Sequence, residues 1–219
     1  MRRVRRRVNT GMLRVYEWII EFYGPYVLVR CSRYTNRRRQ AQQIGVYSLI
    51  TTCLVVTEVE QVGRLGRVID IMVDVIGPDV VTGGEGEPWW GDSDELLIVD
   101  GRLRKIAAAL NALHRPLREV LVLHHVTGLP PEDLARLLET PAAQVAAQIG
   151  RAERLLARHL AGPHAEGDEA GTPDVRSVLA QFAAGLDGGW MAEVADCAMD
   201  YLAGSVRRHR PRRRAGDRN

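Results

Sequence analysis

The chain is poor in aromatic residues, at 5% of 219, and holds a single lysine, Lys105. Alanine, leucine and valine dominate instead. That balance favours small helical domains over a sheet-rich core, because aromatic residues are among those that suit a pleated, half-buried surface. A GC-rich genome is enough to put arginine in place of lysine, so the preference carries no argument about recognition. Cysteine is scarce too. Cys31, Cys53 and Cys197 are far apart and odd in number, with no metal-ligand spacing and no disulfide framework. They fit a reducing cytoplasm, the expected location. No apolar run is long enough to span a membrane. Arg14, Glu17 and Glu21 interrupt the apolar stretch behind the opening arginines, so it does not read as a secretory signal. Enzyme signatures are missing as well. The GGEGEP run lacks the strand, helix and lysine of a phosphate loop. No serine, histidine and acid cluster suggests a hydrolase. His124 and His125 are adjacent on a helix and point apart, so they form no chelating i,i+4 pair. Neither catalytic residues, nor a metal site, nor a cofactor is indicated, and the chain is not expected to be an enzyme.

What is present is ordinary for a globular protein: 46% hydrophobic and 26% charged residues. The length allows one or two small domains. The net charge of +3 hides a pattern. Arginines cluster at 2, 3 and 5–7, again at 37–39, and from 207 to 214. Such basic ends serve equally well as nonspecific phosphate contacts or as solvated tails.

Composition divides the chain. After a basic tail at 1–11, an apolar block of helical period runs from 12 to 76. Residues 77–95, with GPDVVTGGEGEPWWGDSD, read as an acidic linker, because glycine and proline break helices. Trp89 and Trp90 are out of character there and fit a linker docked on a domain or partner. A second helical block occupies 96–162, followed by a linker at 163–172. A helical hairpin is expected at 173–204, before a basic tail at 205–219. Its first helix aligns Val175, Val178, Leu179, Phe182 and Leu186, with Thr172 and Pro173 as cap and first residue. Its second aligns Trp190, Val194, Ala198, Tyr201 and Leu202. No strand of convincing length and no repeat is found, so the expected fold is all-α.

The second block carries the most specific pattern. LREVLVLHHV, from Leu117 to Val126, is helical and stops before Thr127-Gly128, where glycine takes the left-handed backbone cheaply. Pro131, Glu132 and Asp133 suit a helix start. Leu134, Leu137 and Leu138 give that short helix an apolar face, and Ala135 permits a close crossing. Glu139-Thr140-Pro141 is a turn, with Thr140 as cap of the next helix. There Val145, Ile149, Ala152 and Leu156 form one buried stripe. Gln144, Gln148, Arg151, Arg154 and Arg158 lie on the other side. A short helix, a tight turn and a longer helix with a polar face is how a recognition helix is presented to the major groove. Glutamine bonds adenine edges, and arginine bonds guanine or phosphate. A helical hairpin with a solvated charged face has the same spacing.

The run LREVLVLHHVTGLPPEDLARLLETPAAQVAAQIGRAERLLARHL resembles the C-terminal promoter-binding domain of sigma-70 factors, of the small extracytoplasmic-function group. The helix-turn-helix of LuxR-type response regulators shares REVL and the scaffold pattern. RAERLL, and a helical block ahead of a linker, favour the sigma reading. The resemblance implies DNA contacts by Gln144, Gln148 and Arg151, and contact of the domain with polymerase. Ala146 and Ala147 depart from the family's basic and small polar residues, and Glu139 replaces its usual turn glycine.

In the first block, EFYGPYVLVRCSRYTNRRRQAQQIGVYSLITTCLV resembles the first two helices of the sigma N-terminal domain, which grips the polymerase clamp. Gln43, Val46 and Tyr47 are the residues implied for that contact. Gln43 and Val46 replace an acidic residue and a glutamine. The following GRLGRVIDIMVDVIG lacks the basic and aromatic residues that hold melted bases, and has Asp70 and Asp74 instead. Ordinary core helices of an unrelated domain would read the same way. The resemblance implies core RNA polymerase and promoter DNA as partners, with an anti-sigma or other regulatory protein as a further one, and no membrane. The alternatives are a sigma-derived adaptor that does not melt promoters, and a plain helix-turn-helix regulator.

The stripe on the last helix of the second block gives a first prediction. Truncating Ile149 to alanine costs roughly 2–5 kcal/mol if the stripe is core. A thermal melt of Ile149→Ala that overlays the parent's would show that this face is not buried.

Overall fold

The computed structural model describes residues 10–56, 63–82, 96–161, 174–186 and 188–208. The opening arginines, the linker tryptophans Trp89 and Trp90, the expected cap Thr172-Pro173 and the arginines from 210 onward lie outside the described residues.

Among the described residues the fold is all-α, as composition implied. The helices are α1 (Thr10–Cys31), α2 (Arg38–Val55), α3 (Leu65–Thr82), α4 (Gly101–Ala112), α5 (Arg115–Leu121), α6 (Pro131–Leu137), α7 (Ala142–Ala161), α8 (Val175–Gly185) and α9 (Gly188–Arg208). One π turn, Val122–Val126, extends α5. An antiparallel bridge pairs Arg37 with Leu96.

Helix α3 runs further than composition suggests. Gly77 and Pro78, read as the start of a linker, sit inside it. Gly77 is there for packing: a Cβ would lie 2.8 Å from the Tyr34 ring. Its missing side chain lets the turn after α1 close onto α3. The gain in packing outweighs the helix-breaking tendency of the Gly-Pro pair.

Helices α1, α2 and α3 pack together, and α4 to α8 form a second group around α5 and α7. The core is nonetheless continuous, from Tyr16 on α1 through Leu110, Leu121 and Leu156 to Leu202 on α9. The two C-terminal helices divide between the groups. Helix α8 buries Val175, Leu179 and Phe182 and packs on the π turn, α4 and α7. Asp174 caps it, accepting the Arg176 backbone N–H at 3.1 Å. Helix α9 instead lies along α1 and α2. It buries Trp190, Val194, Ala198 and Leu202, whereas Tyr201 is 52% exposed and stands off the expected stripe. The Trp190 indole N–H donates to the Arg38 carbonyl at 3.4 Å, and Arg38 pairs with Glu193 at 3.2 Å. A fully buried tryptophan is worth about 3–5 kcal/mol against truncation, so α9 is a firm part of the first group.

A buried polar cluster joins the groups. Asp70 on α3 accepts from Tyr26 at 2.9 Å and from Arg118 at 2.7 Å, and lies 2.8 Å from Arg30 Nε. Arg30 also reaches Asp74 at 2.5 Å and Asn111 at 3.1 Å. Arg118 donates further to the carbonyl oxygens of Leu113, at 3.0 Å, and Asn111, at 3.3 Å. Beside it, Glu119 accepts from Tyr23 at 3.1 Å and pairs with Arg115 at 3.2 Å. Helix α3 approaches this carboxylate so closely that a Cβ on Gly66 would sit 2.1 Å from Glu119 Oε1. Three cations meet three carboxylates, and most of their polar atoms are bonded. That is the condition under which burying charge is tolerated.

Burial pushes the Glu119 carboxyl up to about 7, against the opposing pull of Arg115 and the Tyr23 hydroxyl. Its stability contribution is therefore full below about pH 4.5 and is lost as pH rises through 7. Ionising the buried group works against folding by up to about 3 kcal/mol. We expect the parent to lose stability relative to Glu119→Gln between pH 5 and pH 8, measured by urea unfolding. Parallel pH profiles for the two proteins would contradict this account of Glu119.

Candidate nucleic-acid interface

The helix-turn-helix is built from α5 with its π turn, then α6, then α7. Gly128 ends the first part with φ +80°, the left-handed backbone expected of it. The His124 ring donates through Nδ1 to the Leu129 carbonyl at 2.7 Å, closing the loop onto α6. In α6, Leu134 is fully buried, while Leu137 and Leu138 pack at the edge of the core. Glu139, where the resemblance has glycine, adopts φ +50°. The turn keeps its left-handed geometry without the residue that suits it, at a cost of roughly 1 kcal/mol. Thr140, expected as a cap, turns its hydroxyl to the Leu138 carbonyl at 2.9 Å.

Helix α7 buries Val145, Ile149, Ala152 and Leu156, so the apolar stripe read from the sequence is the packed face. Gln144, Arg151, Arg154 and Arg158 are exposed and Gln148 is half-buried. At about 100° per residue, Gln148, Gln144, Arg151, Arg158 and Arg154 follow one another around about a third of the helix, with Gln148 nearest the buried stripe and Arg154 furthest from it. All five residues thus share one surface, which carries two amide groups and three guanidinium groups. The opposite side is fixed by an ion-paired brace. Glu153 accepts from His125 at 3.0 Å and from Arg176 on α8 at 3.4 Å. Burial holds the His125 ring below the usual histidine range, and the neighbouring His124 works the same way. These histidines are packing groups of the module.

The three residues implied for polymerase contact separate on α2. Tyr47 is 41% exposed, Gln43 is half-buried, and Val46 is 2% exposed within the core. Leu54 and Val55 on α2, and Ile71 and Val75 on α3, are also exposed. In the Gly66–Gly77 segment, Asp70 and Asp74 turn toward α1, and Asp70 reaches α5 as well. Sequence reasoning read those aspartates as missing nucleic-acid contacts and did not foresee their partners. The available signal was a charged residue within apolar helical runs, Arg30 in YVLVRC and Arg118-Glu119 in LREVL. No helix of the described residues is long and apolar enough to cross a membrane.

Residues 103–156, about a quarter of the chain, match the family model Sigma-70, region 4. The match spans from the first turn of α4 through the buried stripe of α7, so this segment is similar to sigma-70 region 4. No curated protein matches the chain, and no solved structure does.

Two substitutions test the DNA contacts expected of α7. Gln148→Ala should relax sequence preference, while Arg158→Ala should weaken binding to every sequence alike. Unchanged duplex binding in the double variant, with all affinity lost on deleting the arginine-rich ends, would place the contact in the tails.

Proposed function

We propose that this chain is a sigma factor of the extracytoplasmic-function kind, acting in the cytoplasm, where it binds core RNA polymerase and directs it to promoter DNA. The observation that carries the reading is α7. Within a segment matching sigma-70 region 4, it holds Gln144, Gln148, Arg151, Arg154 and Arg158 on one surface and packs another through Val145, Ile149 and Leu156. Amide and guanidinium groups on a rigid helix suit base edges and phosphates in the major groove. The chain does no chemistry itself: the polymerase catalyses. The polymerase contact is assigned to the outer side of α2, through Gln43 and Tyr47, with Val46 supporting that helix from within. A regulatory protein of the anti-sigma kind would compete for the same outer face.

A second reading is favoured by one observation. Asp70 and Asp74 occupy the segment that the resemblance assigns to melted bases, and both are engaged by Arg30. An adaptor or repressor that binds polymerase without opening promoters would need nothing more from that segment. The two readings differ in a pull-down with core polymerase followed by run-off transcription. We expect association with polymerase, weak open-complex formation on closed linear duplex, and rescue on a promoter opened in advance by mismatches. Efficient firing on closed duplex would overturn the weak-melting expectation, and failure to bind polymerase would overturn the sigma reading itself.

A further inference from the structure

A second cationic surface, with no α7 residue in its lining, is formed by the start of α4 and the turn after α1. Two grooves of about 570 and 290 Å³ adjoin there, sharing Arg104 and Ala108 as a common wall. Arg102 and Lys105 line the first, and Arg33 lines the second. Asp100 is the one carboxylate in either lining, and it is occupied as the cap of α4, accepting the Arg102 backbone N–H at 2.7 Å. Arg104 spends one terminal nitrogen on the carbonyl oxygens of Ile98 and Val99, both at 3.3 Å. Those bonds hold its guanidinium at the shared wall. The Arg102 and Lys105 side chains form no ion pair among the described residues. Arg33 reaches Asp74 at only 3.9 Å, a carboxylate that Arg30 and the Tyr34 hydroxyl already share.

We propose that this groove is a second phosphate-binding surface for duplex nucleic acid, separate from the α7 face. The inference rests on the DNA-binding reading above and extends it to residues that reading does not use. Four cations, against Asp100 and the Asp74 carboxylate that Arg30 and Tyr34 already engage, leave a local positive field, which attracts a polyanion. The occupant favoured is nucleic acid, because α4 packs on α7 and passes into α5 through Leu113 and His114. Arg102, Arg104 and Lys105 are thus fixed on the helix-turn-helix module and not on a tail. Most protein contacts to a duplex go to phosphate and sugar, frequently from elements outside the recognition helix. Arg33, from the first helical group, extends the surface across the junction between the two groups.

The test is the salt dependence of binding to a mixed-sequence duplex, measured by fluorescence anisotropy on the full chain. In Arg33→Gln/Arg102→Gln/Lys105→Gln, the slope of log K against log salt should fall by roughly one for each phosphate no longer neutralised, about 3 in all. Affinity at about 0.1 M salt should fall at least about tenfold. The variant spares Arg104, whose backbone bonds could matter for folding. Arg33→Lys/Arg102→Lys/Lys105→Arg keeps the charge and should keep the parental slope. Sequence preference should be unchanged in both variants. If Arg151→Gln/Arg158→Gln lowers the slope and the groove variant does not, the groove proposal fails while DNA binding stands. A groove that serves an acidic protein would give that same result. A slope lowered equally in the charge-keeping variant would point to folding and overturn the proposal. A parent chain that binds no duplex would overturn both readings.

Discussion

Asp70 is placed where three helices meet, between Arg30 of α1 and Arg118 of α5. The rest of the architecture depends on that meeting. Removing one partner from a buried ionic cluster leaves an uncompensated charge, at a cost of about 3–5 kcal/mol. The cluster therefore tolerates few relative positions of the two helical groups. Apolar side chains alone would allow them to slide. Directional bonds from Arg118 to Asp70, and from Asn111 to the Val29 carbonyl at 2.6 Å, fix one docking. Burial also keeps Tyr26 protonated, because it raises the hydroxyl well above its ordinary range. The tyrosine stays a neutral donor to the carboxylate.

The C-terminal helices add a second tie between the groups. Helix α8 is held by the helix-turn-helix through Phe182 and the Arg176–Glu153 pair, and α9 by α1 and α2 through Trp190. With a break of a few residues between them, they link the groups mechanically. One consequence concerns α7. Its inner side is packed, its flank is braced through Glu153, and the module behind it is tied to α1 and α3. In the proposed DNA complex, a rigid support of this kind lowers the entropy lost when a side chain such as Gln148 is fixed on a base edge. The strained turn at Glu139 belongs to the same picture: a left-handed backbone at a non-glycine residue persists where surrounding contacts over-determine it.

The legibility of these features tracks how local they are. The stripe of Val145, Ile149, Ala152 and Leu156 was readable because helical period alone fixes which side each residue takes. Gly128 was readable because its backbone need arises within its own turn. Gly77 was misread because its role depends on the ring of Tyr34, in another part of the chain. Tyr201 was placed in a stripe because it lies three residues after Ala198, a helical spacing. The groove that receives α9 accepts the i,i+4 series from Trp190 to Leu202 and leaves Tyr201 outside it.

By itself the sequence determined the all-α class, the helix-turn-helix pattern and the polar face of α7. Each follows from composition or from repeats of three to four residues, whose physics is complete within one helix. Only the tertiary structure decided what Asp70 and Asp74 do, and which group α9 joins. Charge at a position does not reveal whether it meets water, a phosphate or a buried guanidinium. Asp70 and Arg118 are 48 positions apart, and only the packing of α3 against α1 and α5 turns two isolated charges into a shared bond.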